Sequence, residues 1–301
     1  MIVNAGYRGK VGAGAPKFTY TGTYNIRKDG VVELLTSGTI VFLEPKVIDV
    51  FMVGGGGAGS VTYASGTYGA GGGGGGYTRT VKRFNVTANT SYSITIGEGG
   101  KYNQSTNSYT PAGASAFDTL SANGGNNGQY IQSLASYSYT GAAGGSGGGG
   151  GVTSNSDYGA GGHDGNDGES GYPTARAGGN GQGYTTREFG EATGKLYAGG
   201  GGGGRYLSAQ SAVVSPGGSG GGGAGAWQGA AYGVSQAAGA GGANTGGGGG
   251  GGAQYESSSY RTKGASGGSG IVCFRDAQEL PELAGTWVLN DRLYAPESSV
   301  Y

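Results

Sequence analysis

The side chains of this chain best suited to touching a ligand are its tyrosines, 22 of them, against a single histidine and a single cysteine. Many fall in loops rich in Tyr, Ser, Asn and Gly, the residue set of antibody binding loops. Tyrosine supplies a large rigid contact at low entropic cost, and Ser and Asn supply adaptable hydrogen bonds. The candidates are Tyr63 and Tyr68; Tyr102 and Tyr109; Tyr130, Tyr137 and Tyr139; Trp227 and Tyr232; and Tyr255 and Tyr260. Aromatic faces with polar tips suit sugars and exposed protein loops equally well. Part of this set is expected to be structural, capping or flanking the glycine runs described below.

Catalytic chemistry finds less support. A Ser–His–Asp arrangement has to use His163, the one histidine. It sits in Gly161-Gly162-His163-Asp164-Gly165-Asn166-Asp167-Gly168-Glu169, a polar loop with several oxygen ligands close together, as calcium sites have. There is one copy, and its spacing departs from both the EF-hand loop and the glycine- and aspartate-rich calcium repeat. A solvated turn is the simpler reading, with calcium binding left open. No motif marks a carboxylate pair for glycosidase chemistry. Cys273 lies in an apolar segment and reads as a small buried residue rather than a reactive thiol. Gly54, Gly56 and Gly59 fit G-x-G-x-x-G directly after a strand-like segment. A dinucleotide site needs a helix next and an acidic residue about 20 positions on. Ser60–Gly66 is turn-rich instead, and no Asp or Glu occurs between Asp49 and Glu98. The expectation is a protein that is not an enzyme, with no cofactor and no metal.

The elements that must position the tyrosine loops are glycine runs. Gly246–Gly252 is seven glycines long, and Gly54–Gly57, Gly71–Gly76, Gly147–Gly151 and Gly199–Gly204 are shorter relatives, with 217–225 nearly as pure. Fixing each backbone costs roughly 1–2 kcal/mol, and Gly loses more freedom than any other residue. Such runs either stay disordered or bond to one another in bulk. The second outcome has a definite geometry: polyproline II helices with three residues per turn and no internal hydrogen bonds, paired with neighbours on every side because no Cβ intervenes. Six residues at about 3.1 Å each span roughly 19 Å, which matches a strand of ordinary length.

Strand signals occupy about residues 18–53, 77–97, 115–122 and 270–275. Phe18–Arg27 carries Tyr20, Tyr24 and Ile26 at even positions, and Lys28-Asp29-Gly30 is a hairpin signal. Val47–Val53 is apolar on both faces apart from Asp49, as in a central strand. In 77–86 the alternation changes phase, so a β-bulge is expected near Lys82-Arg83. Tyr92, Ile94 and Ile96 alternate cleanly with Ser91, Ser93 and Thr95, the mark of a half-buried antiparallel strand. Ala116–Ala122 reads as one more strand, and Ile271–Arg275 as the last. No helix longer than a turn or two is expected. Residues 1–17 read as an arm, 18–275 as the glycine-rich body and 276–301 as a Gly-poor tail with Pro281 and Pro296.

Lys+Arg 18 and Asp+Glu 18 cancel, which argues against a nucleic-acid footprint. Gly 77 with Pro 7 and no G-X-Y period excludes collagen, and Tyr 22 is too aromatic for disorder. Neither a signal-peptide core nor a membrane-spanning stretch is evident. The expectation is a protein made in a cytoplasm without membrane insertion.

The series Val47-Ile48-Asp49-Val50-Phe51-Met52-Val53-Gly54-Gly55-Gly56-Gly57, then Gly71–Gly76 with Tyr77-Thr78, then Tyr92–Gly97 with Gly99-Gly100, resembles the glycine-rich domain of phage and prophage tail-fibre proteins. The closing Gly267-Gly268-Ser269-Gly270-Ile271-Val272 is similar to its last strand, and the resemblance covers about residues 18–276. Similar runs occur in distal tail-fibre adhesins that form a polyglycine II bundle. The resemblance implies an all-β fold: an antiparallel, jelly-roll-like β-sandwich with an attached bundle of polyglycine (polyproline II) helices. It also implies a recognition module rather than an enzyme.

The functional expectation is a phage or prophage tail-fibre or tail-tip adhesin that recognises a bacterial surface receptor through its Tyr/Ser/Asn-rich loops. Its partners would be a surface glycan or outer protein and other tail-fibre subunits, as a possible homotrimer, and its location the virion tail. The alternative is a structural virion or cell-surface protein whose loops mediate assembly. Short loops between alternating glycine helices collect at two ends, one facing the fibre and the other the host. The 126–140 and 226–240 segments are the leading receptor surface, with Tyr137, Tyr139, Trp227 and Tyr232 as anchors.

Overall fold

The computed structural model describes residues 17–62, 68–131, 140–151, 186–207, 215–229, 235–254 and 261–277. These are all β and irregular chain, with one 3-10 turn at Glu188–Gly190 and no α-helix among them. The first nine strands are β1 (Phe18–Tyr20), β2 (Tyr24–Ile26), β3 (Val32–Leu34), β4 (Gly38–Phe42), β5 (Lys46–Val53), β6 (Val61–Thr62), β7 (Tyr68–Gly69), β8 (Thr78–Val86) and β9 (Ser91–Thr95). Next come β10 (Lys101–Asn103), β11 (Ser108–Thr110), β12 (Ser115–Phe117), β13 (Leu120–Ala122) and β14 (Tyr130–Ile131). The last six are β15 (Arg205–Leu207), β16 (Trp227–Gly229), β17 (Ser235–Gln236), β18 (Ala253–Gln254), β19 (Arg261–Thr262) and β20 (Ile271–Asp276).

Two five-stranded antiparallel sheets carry the core, one ordered β1-β4-β9-β12-β13 and the other β2-β3-β20-β5-β8. Alternation puts one face of each strand inward. In β9, Tyr92 and Ile94 are buried while Ser91, Ser93 and Thr95 are exposed. Both sheets contribute to a single core of Leu34, Ile40, Phe42, Ile48, Val50, Met52, Ile94, Phe117, Val272 and Phe274. β5 is buried on both faces, as its apolar run requires, and Phe51 and Val53 point away from that core into a second cluster.

Three local readings change. Residues 18–27 form two strands in different sheets, because the chain folds tightly at Gly22, where a Cβ would lie 2.8 Å from Thr36 O. Residues 115–122 form a hairpin that turns at Asp118, which has φ 52°. Hairpin β10–β11 has no counterpart in the sequence reading. The bulge is where it was expected. The β5–β8 register shifts between Ile48 and Val50, Arg83 takes φ 56°, and its N–H donates to Asp49 Oδ1 at 3.0 Å.

The glycine runs continue the sheets. β5 leads directly into 54–60, and 70–76 returns antiparallel to it, with Gly57 N donating to Gly74 O, and enters β8. By the same hydrogen-bond registers, 123–128, 146–151, 199–204, 222–226 and 246–252 lead away from the sheets. Residues 140–145, 215–218, 239–242 and 264–270 come back. The turns at the sheet end are tight. One of them, 242–246, is tied to the sheets by Asn244 Nδ2, which donates to Leu35 O at 2.9 Å and Gly270 O at 3.1 Å.

Run 246–252 shows how the glycine backbones are satisfied. Gly248 and Gly251 donate to Gly199 and Gly202, Gly249 and Gly252 to Gly57 and Ser60, and Gly250 to Gly239. Its carbonyls accept from Gly268 and Ala265 at 247 and 250, and from Gly223 and Ala226 at 248 and 251. They accept from Gly76, Gly73 and Ala70 at 246, 249 and 252. Partners recur every third residue, and six segments surround the run. Backbone groups that water cannot reach are thereby paired, which buried chain demands.

Candidate functional site

The end of the glycine region away from the sheets is built from the short strands. β6 pairs with β14, β7 and β19 flank β18, and β15-β16-β17 form a third small sheet. These strands lie against one another, β15 on β7 and β18, β16 on β18 and β19, and β18 on β6. Hairpin β10–β11 follows Gly97–Gly100, whose backbone bonds to Gly56 and Gly267, and projects at the same end. The strands β6, β7, β14, β15, β16, β17, β18 and β19, which flank residues 63–67, 132–139, 208–214, 230–234 and 255–260 in sequence, all lie at this end.

Tyr68 and Tyr130 have their backbones here, in β7 and β14. Tyr63, Tyr137, Tyr139, Tyr232, Tyr255 and Tyr260 lie outside the described residues, as does the His163 loop. Tyr102 and Tyr109 face each other across the hairpin, ring centroids 5.2 Å apart, both half-buried. The Tyr102 hydroxyl donates to Asn107 Oδ1 at 2.8 Å. That of Tyr109 reaches Gly59 O and Gln129 O, each at 3.3 Å. Trp227 is only 6% exposed, and its Nε1 donates to Gln236 Oε1 at 3.1 Å. In the single chain Trp227 is a packed side chain, so its removal would disturb the fold as well as any contact it makes.

A larger cleft, about 610 Å³, lies at the opposite end, between residues 188–195 and the β2–β3 turn. Residues 186–198 form a strap over the outer face of the second sheet. Phe189, Tyr197 and Ala198 pack there on Phe51, Val53, Ile271 and Cys273. Ion pairs fix the strap. Arg27 donates to Glu188 at 2.6 and 2.9 Å and to exposed Asp29, and Arg275 bridges Glu191 and Asp49. The Arg275 guanidinium also lies 4.2 Å from the Phe189 ring centre. With these charges paired to one another, the cleft is a clamp. Burial pushes the Tyr197 hydroxyl and the Cys273 thiol up, so Cys273 is no nucleophile. The Gly54–Gly59 amides are also committed: Gly54, Gly55, Gly56, Gly57 and Gly59 all donate to protein carbonyls, leaving them unavailable to a phosphate. Among the described residues no His, Cys, Asp and Glu group is arranged to hold a metal ion, and no helix is long and apolar enough to cross a membrane.

The clamp has a pH signature. The hydrogen bond from Arg275 holds the Glu191 carboxyl below its usual range, and Arg27 does the same to Asp29. Both bind a proton less readily folded than unfolded. Their stabilisation is complete above the unfolded carboxyl range, about 4, and is lost as pH falls through the depressed folded values. Thermal midpoints should hold from pH 7 to about 5 and drop below about 4. The drop should be shallower in Glu191→Gln, and an equal acid drop in that variant would remove Glu191 from the effect.

Comparison with known proteins bears on the glycine region. A family model described as a glycine-rich domain matches residues 36–276. The chain belongs to that glycine-rich domain family. The match begins at the β3–β4 turn and ends with β20, so it takes in every glycine run and leaves out β1, β2 and β3, which complete the two sheets. No curated protein matches the chain.

Proposed function

We propose that the chain is a phage or prophage tail-fibre adhesin. In this reading a β-sandwich holds a bundle of polyglycine II helices, whose far end presents the recognition loops. The three-residue recurrence of hydrogen-bond partners supports the helical reading, since polyproline II has three residues per turn. Six surrounding segments are what a run without side chains accepts.

The observation that carries the functional reading is polarity. Lys17 and Ala277 bond to Leu43 and Val47, so the described chain enters and leaves at the sheet end. The short strands that flank the connections between runs gather at the other end. A body whose described chain enters and leaves at one end, with tyrosine-bearing short strands at the other, suits a receptor-binding tip on a fibre. Its partners are then a bacterial surface receptor at the tip and fibre subunits at the base.

The test is binding of the purified chain to a panel of bacterial strains, with Tyr137→Ala, Tyr139→Ala and Tyr232→Ala as probes. Losing an aromatic anchor typically costs at least about 2 kcal/mol, or roughly thirtyfold in affinity. Thermal midpoints should stay unchanged. Parental binding by all three variants would remove these loops as the receptor surface. Incorporation into particles without any cell binding would point to an assembly role instead.

A further inference from the structure

At the far end a cleft of about 390 Å³ opens between residues 126–129 and 140–143. That volume is in the range of small-ligand sites. Asn126, Gln129 and Thr140 are exposed on its rim, and Ala142 and Ala143 line it between them. Among the described residues that line it none is charged, and the alanines are the largest apolar groups.

Its frame is fixed in advance. Asn126 N donates to Ala143 O at 3.0 Å, joining the two walls. Asn127 accepts from Ala58 N through Oδ1 at 2.8 Å and donates through Nδ2 to Thr110 O at 2.9 Å. Gln129 N donates to Ser60 Oγ at 3.0 Å, and Gln129 O receives the Tyr109 hydroxyl. The paired rings of Tyr102 and Tyr109 therefore stand beside the cleft, anchored to its wall. A site held this way loses little freedom on binding.

The lining decides the ligand class. An anion needs Arg or Lys, or a set of free amides, and a cation needs carboxylates. An apolar ligand needs an aliphatic or aromatic wall. What remains is a neutral ligand bearing many hydroxyls, met by amides that both donate and accept and by a tyrosine pair whose rings can meet a sugar's C–H face. A protein partner fits less well. The described residues have only two large exposed apolar side chains, Ile26 in β2 and Leu43 just after β4, both at the sheet end. Among the described residues, this end shows no large exposed aliphatic side chain of the kind that centres a protein interface.

We propose that this cleft binds a neutral oligosaccharide, with Asn126, Gln129 and Thr140 as hydrogen-bonding groups and the Tyr102–Tyr109 pair as an adjoining stacking surface. The proposal rests on the adhesin reading and narrows its receptor to an uncharged glycan.

The experiment takes a strain that the chain binds and separates its surface polysaccharide by anion exchange. Binding should survive protease treatment of the cells and be lost after periodate. The neutral polysaccharide fraction should compete, and the anionic fraction should not. Asn126→Ala and Gln129→Ala should each weaken binding to the neutral fraction about tenfold, the effect of losing one or two such hydrogen bonds, with unchanged thermal midpoints. Binding lost to protease, or competed only by the anionic fraction, overturns the glycan assignment and leaves the adhesin reading standing. Neutral-fraction binding that both variants retain overturns the cleft. Failure to bind any strain counts against the adhesin reading itself.

Discussion

Gly249→Val should cost the protein about 3–6 kcal/mol, from overpacking together with the loss of two or three backbone hydrogen bonds. A Cβ at Gly249 would lie 2.1 Å from Ala265 O and 2.6 Å from Ser266 O, both backbone atoms with no side chain to swing aside. The segment opposite must retreat. Gly249 N donates to Gly57 O and Gly249 O accepts from Gly73 N, so three neighbouring segments feel the shift. No site along the run offers relief. Added Cβ atoms at 247 and 250 meet Gly221 O and Ala224 O, and those at 248 and 251 meet Gly73 O and Ala70 O. For a body of this size the thermal midpoint should fall by roughly 10–20 °C. Ala240→Val, at an exposed position, is the control and should move it by no more than about 0.5 kcal/mol equivalent. An unchanged midpoint for Gly249→Val would show that the runs tolerate side chains and are not packed backbone to backbone.

Arg27→Ala should be nearly as damaging, at about 3–5 kcal/mol, because it strands a buried charge. Glu188 has 5% of its side chain exposed and takes two hydrogen bonds from Arg27. The Tyr197 hydroxyl also donates to it, at 3.2 Å. Hydrogen bonding to Asp29, with further help from Glu188, raises the Arg27 pKa, so the guanidinium stays charged throughout. The double variant Arg27→Ala, Glu188→Gln should recover a large part of the loss, since a neutral amide is cheaper to bury than an unpaired carboxylate. Denaturation of the four species gives the coupling directly. Costs that simply add would mean the two side chains do not stabilise each other.

The two expectations concern opposite kinds of legibility. The intolerance at Gly249 is visible in the sequence, because seven glycines in a row leave ordered backbone packing as one of only two outcomes. The Arg27–Glu188 clamp is not visible. The partners are separated by 161 positions, and a lone acidic residue carries no period or motif. Phe189 is equally hidden: it takes φ 55° in a three-residue turn, which no apolar pattern marks.

The strands follow the same division. β9 was legible from strict alternation, and β5 from an apolar run broken only by Asp49. The bulge near Arg83 was legible because period-two alternation changes phase there. The split of residues 18–27 between two sheets was not, since alternation continues through Gly22 and only the close approach of Thr36 forces the turn.

By itself the sequence determined the longer strands β5, β8, β9 and β20, that the glycine runs have nothing to bury but backbone, and that tyrosine, serine and asparagine fill the connections. These follow from local chemistry: side-chain period, missing Cβ atoms and turn-forming residues. The tertiary structure decided that the short strands flanking the connections gather at one end while Lys17 and Ala277 sit at the other. It decided that Trp227 is packed, and that Asn126, Gln129 and Thr140 share a cleft beside Tyr102 and Tyr109. The physical reason is direction. A run of identical glycines reads the same toward or away from the sheets, and only its hydrogen-bond register with neighbouring runs fixes which way it travels and what its ends bring together.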